Sequence, residues 1–567
     1  MRALITNALD ECVGCNRCIR VCPIDEANIV RDKDGKITVE ADNSKCITCG
    51  ACLTACHHGS RHYEDDTKRF FEDLKNGVPI SMFAAPAAKT NFNEFGRLLS
   101  WLRSMGIQKI YDASLGADIC TWGHIRYIQE NGPRPIISQP CPVIVNYILM
   151  HRNKLLKYLS PVHSPMLCTA VYMRKYENVN TKIAALSPCI AKAHEFEATS
   201  IVDYNVTFKN LYQYIEDNHI TFPSESSGFD HYEAGLGSLY PMPGGLKENV
   251  EHYIGKTFRV DKSEGQSIVY KALDEYAEKS ESKLPILFDV LNCPEGCNMG
   301  TGCEHGSMDI FDINTIMDKF RQSVIPDNQR EYTDELFEKF DKKLRLEDFI
   351  RKYVPVSVKP IPVTQEKINE AFVALGKLDK ASMNFDCGAC GCDTCHEMAV
   401  KIAKGINTPM NCMEKAHQDI LGKHEDAKSN LGYFETVLKD TENIKETTAN
   451  MISSIEAINE AISSYNKMVS EIEKIAMSVN IIALNASIEA ARAGQHGKAF
   501  GVVAQEIRNL SQSSDASAKQ TKDASLKATG AIEDINRMIA IISENVNDSY
   551  ENIVAISANT KKILKDH

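Results

Sequence analysis

All twenty cysteines of this chain lie before residue 413, and the 155 residues that follow hold none. That asymmetry limits the fold more than any other feature. Sixteen of the cysteines stand in runs or loops whose spacing suits thiolate ligands of iron–sulfur groups. The front of the chain must therefore close around ligand loops, and the tail must find its core elsewhere. Disulfide scaffolds are the usual alternative, but they are small and secreted. This chain has 567 residues, starts Met-Arg-Ala-Leu-Ile-Thr-Asn-Ala-Leu-Asp-Glu without an apolar export core, and repeats CxxC units. Thiolate ligation in a reducing cytoplasm fits better.

The length calls for several domains, since one core seldom grows past about 250–300 residues. A net charge of −12 and a pI near 5.8 argue against nucleic acid or an anionic membrane surface as partner. No run of about 18 apolar residues occurs, so no membrane span is expected. Residues 1–70 hold two cysteine runs around a β-hairpin, Ile29 to Val39, turned at Asp34-Gly35. Residues 75–325 read as α/β, with strands such as Pro79–Ala84, Lys182–Leu186 and Ile286–Val290 between helices such as Asn93–Met105. Residues 326–382 form a charged helical connector, interrupted by an extended Val354-Pro-Val-Ser-Val-Lys-Pro-Ile-Pro. A compact cysteine module fills 383–415, and heptads fill 424–567.

Cys12-x2-Cys15-x2-Cys18-x3-Cys22-Pro23 is followed by Cys46-x2-Cys49-x2-Cys52-x3-Cys56. This resembles the bacterial two-cluster ferredoxin domain, in which the fourth cysteine of each run serves the other cluster. The resemblance assigns Cys12, Cys15, Cys18 and Cys56 to one [4Fe–4S] cluster and Cys46, Cys49, Cys52 and Cys22 to a second. His57 stands where the second run usually has proline. The competing reading is a pair of zinc sites, whose CxxC halves are usually further apart.

Four loops between 75 and 325 resemble the H-cluster domain of [FeFe]-hydrogenases: Ala85-Pro86-Ala87, Ser138-Gln-Pro140-Cys141-Pro142, Ser187-Pro-Cys189-Ile-Ala-Lys192-Ala-His-Glu195, and Asn292-Cys293-Pro-Glu-Gly296-Cys297. The resemblance implies that Cys141, Cys189, Cys293 and Cys297 hold a cubane, with Cys297 bridging to a two-iron subsite. It also implies that Lys192 donates to a cyanide of that subsite. The departures bear on activity. Pro140 occupies the position of the proton-relay cysteine, and the family's Glu-Glu-x-x-Glu segment is replaced by Gly123, His124 and Tyr127. Ser187 stands for the usual methionine. Proline cannot carry a proton, so fast turnover is not expected and no catalytic residue is assigned; Lys192 and Pro140 flank the iron pair. An ordinary [4Fe–4S] cluster in this domain is the simpler reading. Cys120, Cys168 and Cys303 are expected to be buried structural thiols.

Cys387-x2-Cys390-x4-Cys395-x16-Cys412 resembles the small Fe–S domain of electron-transfer subunits and corrinoid proteins, implying a third accessory [4Fe–4S] cluster, with Cys392 surplus. A zinc knuckle is the alternative, since four thiolates satisfy either metal.

In the tail, apolar or small residues recur at 3,4 spacing from Ile455, Ile458, Ile462, Tyr465, Val469 and Ile472 through Ala476, Ala483 and Ala493. The seam breaks at Gly494-Gln-His-Gly497 and resumes through Phe500, Val503, Ile507 and Leu510, then Ile535, Ile539, Ile542, Val546, Ile553 and Ile556. Two antiparallel arms of about 65 residues each give a rod of about 100 Å, and a dimer gives a four-helix bundle. The stretch Asn480 to Leu510 resembles the hairpin tip of methyl-accepting chemotaxis proteins. That family implies signalling contacts at Met477, Ile481, Leu484, Asn485, Glu489, Arg492 and Val502, trimers of dimers, and a histidine kinase with its coupling protein. Gln495-His496 replaces the usual Glu-Gln. An inert dimerisation coil is the alternative.

The fold class expected is multidomain α+β: a ferredoxin-like domain, an α/β hydrogenase-like domain, a small Fe–S module and a long helical hairpin. The function expected is a soluble cytoplasmic chemoreceptor, sensing H2, another diatomic gas or redox state. The alternative is a slow [FeFe]-hydrogenase that exchanges electrons with a ferredoxin-like partner. An H-cluster also requires hydrogenase maturation proteins.

Overall fold

The computed structural model describes residues 2–33, 36–231, 235–255, 258–305, 308–324 and 329–565. The chain forms two compact units, Met1–Lys415 and Ala416–His567.

The first unit begins with the two cysteine runs. Strand Ile5–Asn7 pairs antiparallel with Arg61–Tyr63, and Asn28–Lys33 with Lys36–Ala41; the expected turn at Asp34-Gly35 lies outside the described residues. The two runs share one backbone path. Gly14 and Thr48, each two residues past the first cysteine, have φ of 67° and 61°, and Asn16 and Gly50 have φ of 60° and 79°. Left-handed residues at matching places curl each loop and turn its N–H groups inward.

The α/β part holds two parallel sheets. One runs Ile110–Asp112, Ile80–Ala84, Lys182–Ser187, Tyr204–Thr207, in register Met82↔Ile110, Ile80↔Lys182 and Ala184↔Tyr204. The other runs Val260–Glu264, Leu287–Leu291, Ile136–Ile137. Ile80–Ala84 and Leu287–Leu291 are buried at every residue, as parallel strands covered on both faces must be. Helix Thr67–Lys75 lends Phe70, Phe71 and Leu74 to this core, with Phe71 stacked on Tyr214.

The segment read as a connector carries part of the same core. Leu336, Phe337, Phe340 and Leu344 join Leu115 and Trp122 of helix Ala113–Asn131, and Trp122 Nε1 donates to Asp341 at 2.8 Å. Their spacing makes one apolar helical face, and each buried large side chain contributes about 1.5–3 kcal/mol. Residues 351–364 have neither helix nor strand; the Val356 N–H donates to Leu149 C=O at 2.8 Å.

The second unit is a helical hairpin. Helix Met413–Arg492 leads to the turn Gly494–Gly497 and helix Lys498–Lys565. A side chain at Gly497 would meet the Ala490 carbonyl oxygen at 2.2 Å, so the turn closes only with glycine there. The contact line between arms runs through Ile455, Val469, Ala476 and Ala483 on one side and Ala504, Ser511, Ala518, Ser525, Ile532 and Ile539 on the other. Ser511 Oγ donates to Ala476 C=O. Only part of each expected seam is covered within one hairpin: Ile455, Val469 and Ile539 are buried, whereas Ile458, Tyr465 and Ile472 of the first arm and Phe500, Val503 and Leu510 of the second are exposed. Two packed helices share one contact line, small toward the turn and with Ile455, Ile532 and Ile539 further along, so large residues on the neighbouring line have no partner within the hairpin.

Candidate iron–sulfur sites

In the front domain Cys22, Cys46, Cys49 and Cys52 face one another. Burial pushes the Cys22 and Cys52 thiols up to about 12, with Cys46 adding to both. Cys49 is raised by burial and by Cys22, Cys46 and Cys52 together. The other run brings Cys18 beside Cys12 and Cys15. Arg61 joins this group to Cys56: its guanidinium donates to Cys18 Sγ at 3.4 Å, and its backbone N–H, with those of His58 and Ser60, donates to the Cys56 sulfur. Arg61 is buried and tied to Asn7 and Asn28 at 2.5 and 2.9 Å. Nothing in the local motif singles it out.

The middle site follows from strand topology. Cys141 follows Ile136–Ile137, Cys189 follows Lys182–Ser187, Cys293 follows Leu287–Leu291, and Ala85-Pro86-Ala87 follows Ile80–Ala84. Ligand sites in open parallel sheets lie beyond the carboxyl ends of strands. Gly296, at φ 70°, brings Cys297 back to Cys293; a side chain there would strike the Pro241 carbonyl oxygen at 2.2 Å. Cys141, Cys189, Cys293 and Cys297 line one cavity of about 80 Å³ with Pro140, Lys192 and Ala85 to Ala87. Burial and the neighbouring thiols push Cys189 up to about 11 and Cys297 to about 12, and raise Cys293 further. Four buried thiols sharing one cavity are tolerable as thiolates only around a cation. The donor set therefore fits an iron group. Lys192 brings an ammonium to this wall, and its Nζ donates to Pro140 C=O at 3.1 Å, Ser164 Oγ at 3.1 Å and Glu195 at 2.6 Å. Pro140 closes the wall, and Ser187 Oγ accepts the Cys189 N–H at 3.1 Å.

In the small module Cys387, Cys390, Cys395 and Cys412 line a common cavity, and the surplus Cys392 lines it too. The Cys392 thiol bonds Cys390 and lowers it to about 6. The Asp386 carboxylate accepts the Cys395 N–H at 2.5 Å, and the Asp386 N–H donates back to Cys395 Sγ at 3.4 Å. Among the described residues no three His, Cys, Asp or Glu side chains close on a single ion; in the middle and small sites the thiols stand around a cavity.

Contacts unseen in the motifs string these sites together. Asn292, next to Cys293, donates to Cys49 C=O at 3.1 Å, and so does Gln266. Cys52 lies close enough to Cys18 for each thiolate to oppose the other. The small module docks on the front domain: Arg20 donates to Asn411 at 2.8 Å, Lys404 pairs with Glu26 at 2.6 Å, Lys401 with Asp25 at 3.0 Å, and Val30 N–H with Gly405 C=O at 2.9 Å. The order in space is Cys387–Cys412, the Cys12 run, the Cys46 run, then the middle cavity.

On the hairpin, Met477, Ile481, Leu484 and Val502 are exposed, as are Asn485, Glu489 and Arg492; Arg492 pairs with Glu489 at 3.4 Å.

Four family models match in chain order: a 4Fe-4S dicluster domain at 4–57, the C-terminal domain of the iron-only hydrogenase large chain at 79–301, an Fe-S cluster family at 384–413, and the methyl-accepting chemotaxis protein signalling domain at 435–566. Iron hydrogenase 1 of Clostridium pasteurianum is 24% identical over 282 residues, 42% of this chain and 49% of that protein. The benzylsuccinate synthase activating enzyme of Thauera aromatica is 46% identical over 37 residues, 6% of this chain and 11% of that one. The chain thus spans about half of the first relative and about a tenth of the second. A solved [FeFe]-hydrogenase studied for oxygen inactivation of its H cluster is matched over 52% of this chain and all of its own, at 13% identity and a TM-score of 0.41. An [FeFe]-hydrogenase variant from Chlamydomonas reinhardtii matches over the same share at 14% identity and 0.39. No helix among the described residues is long and apolar enough to cross a membrane.

Proposed function

We propose that this chain is a cytoplasmic chemoreceptor whose iron sites sense H2, another diatomic gas or redox state and whose hairpin reports to a chemotaxis histidine kinase. The observation that carries the reading is the cavity shared by Cys141, Cys189, Cys293 and Cys297 and walled by Pro140, on a chain whose tail matches a chemotaxis signalling domain.

Cys141, Cys189, Cys293 and Cys297 would hold an H-cluster, or a plain [4Fe–4S] cluster. Bound there, the group supplies reversible gas binding and one-electron chemistry. The cysteines at 12, 15, 18 and 56, at 22, 46, 49 and 52, and at 387, 390, 395 and 412 would hold three [4Fe–4S] clusters. The chain's own residues set the rest. Pro140 denies the cavity a thiol and excludes water from that wall. Lys192 offsets thiolate charge. The Asn292–Cys49 and Arg20–Asn411 contacts keep neighbouring sites close, so that a charge change at the middle cavity is felt at Cys412, one residue before helix Met413–Arg492. A coupling of about 1–3 kcal/mol suffices to shift a two-state output. The exposed rows of the hairpin suit a homodimer, with trimers of dimers and the kinase and coupling protein at the tip.

Iron per chain with infrared bands of CO and cyanide tests the cofactor. Phosphotransfer by the kinase under reductant, hydrogen and carbon monoxide tests the output; a flat response to all three rejects the sensor. A second reading, a slow hydrogenase served by a ferredoxin-like partner and maturation proteins, is favoured by Lys192 lining the cavity. Slow but sustained H2 evolution by the loaded wild type, with a kinase output that does not respond to hydrogen, reductant or carbon monoxide, would select it.

A further inference from the structure

Behind Pro140 lies a buried polar cluster that the iron ligands do not use. Cys120 and His124 face the same way on helix Ala113–Asn131, one turn apart, and both are fully buried. The Cys120 sulfur stands 3.7 Å from His124 Nδ1 and 3.8 Å from Gln139 Nε2. The Cys168 thiol, which donates to the His163 carbonyl at 3.3 Å, and the Tyr240 hydroxyl lie near enough to act on its charge. His124 Nδ1 donates to the Cys120 carbonyl at 2.8 Å, and Nε2 lies 3.0 Å from Ser160 Oγ. Tyr240 closes the gap: its hydroxyl lies 2.8 Å from Thr121 Oγ1, and the residue lines the cysteine cavity together with Ala117 and Pro140.

We propose that Cys120 and His124 form a proton-holding pair for the middle cavity, with Tyr240 the hydroxyl that carries the proton between Cys120 and the cavity. A structural thiol would pack among apolar groups. This sulfur instead has the His124 ring at 3.7 Å and the Gln139 amide at 3.8 Å, with the Cys168 thiol and Tyr240 hydroxyl nearby, a polar surrounding that favours a thiolate. Burial alone would raise Cys120, but the bonds from Cys168, His124 and Tyr240 pull it down to about 5; burial lowers His124, and the adjacent sulfur more than offsets it. The other titratable groups whose charge reaches the pair are Tyr353 and Asp289, while His163 meets the cluster through its backbone carbonyl. In the step itself Tyr240 takes a proton from the cavity side while giving its own to Cys120 Sγ, turning thiolate to thiol; no electron moves. The pair thus supplies, from behind Pro140, a thiol that Pro140 itself lacks.

The inference rests on the cavity being an iron site, but its test reads the protein's own S–H stretch in the full-length chain. The infrared difference between wild type and Cys120→Ser shows no Cys120 S–H band at pH 7 and gains one as pH falls through about 5. His124→Gln restores the band at pH 7. Tyr240→Phe slows hydrogen–deuterium exchange at that thiol by roughly 100-fold. A full Cys120 band at pH 7 in wild type overturns the proposal, as does a Cys120–Cys168 disulfide in non-reducing peptide maps. If Cys120→Ser fails to fold, the His124→Gln and wild-type spectra decide. Absence of CO and cyanide bands rejects the H-cluster while leaving the thiolate result intact.

Discussion

In the first unit Ile80, Ile110 and Leu287 are wholly shielded, whereas in the hairpin Ile475, Ile482 and Met477 remain 63%, 65% and 67% exposed. Both regions are rich in apolar residues, yet only the first buries its large ones within a single chain. The front closes because parallel strands and crossover helices cover both faces of each sheet. The hairpin offers each helix one neighbour, so half of every heptad seam waits for another surface. Contiguous exposed apolar rows of this kind mark an interface. The contrast teaches that the front covers its large core residues within one chain, while the hairpin leaves a row of them uncovered.

The comparison breaks first at the ligands. Cys293→Ser is expected to abolish iron at the middle site while leaving hairpin helicity intact, read by iron per chain and circular dichroism. Phe83→Ala, at a fully buried position, should cost about 3–5 kcal/mol in denaturant unfolding. A shift of no more than a few tenths would mean the front is not tightly packed. Gly497→Ala should destabilise the hairpin by about 1–3 kcal/mol, because the added carbon meets the Ala490 carbonyl; thermal unfolding of the helices reads it.

The ion pairs of the first unit add a pH signature. Burial works against Glu26, but bonds from Lys404, Lys45 and the Ile361 N–H hold its carboxyl down to about 2. The folded value lies below the unfolded one, so this stabilisation is complete above about pH 4.5 and lost as pH falls toward 2. Its size is roughly 1–2 kcal/mol after allowance for solvent screening. Glu26→Gln should flatten that acid limb, and an unchanged limb removes Glu26 from the docking of the small module. Last, Ile472→Asn should change hairpin unfolding by less than about 0.5 kcal/mol, yet abolish self-association in sedimentation. A variant that stays dimeric shows that the second surface lies elsewhere.

Much of this was legible in one dimension because it is local. Thiolate loops need their cysteines a few residues apart, so the runs at Cys12 and Cys46, the Cys293–Cys297 loop and the 387–412 module announce themselves by spacing. The turn at Gly494–Gly497 announces itself by glycine. The heptad seams are legible only in part: a heptad pattern shows that a residue seeks a partner, not which partner it has. Phe500 and Leu510 carry the pattern as well as Ile539 does, and only Ile539 is buried.

Sequence alone picked out the candidate ligand loops, the order of domains and the helical hairpin, since each loop or heptad is a pattern within a few turns of chain. Tertiary structure decided how the sites meet. Arg61 beside Cys18, Asn292 on Cys49, Glu26 on Lys404 and Tyr240 on Cys120 join residues separated by 43, 243, 378 and 120 positions respectively. No periodicity reports such pairs, because burial and charge pairing between distant segments are settled only when the sheets and loops close around them.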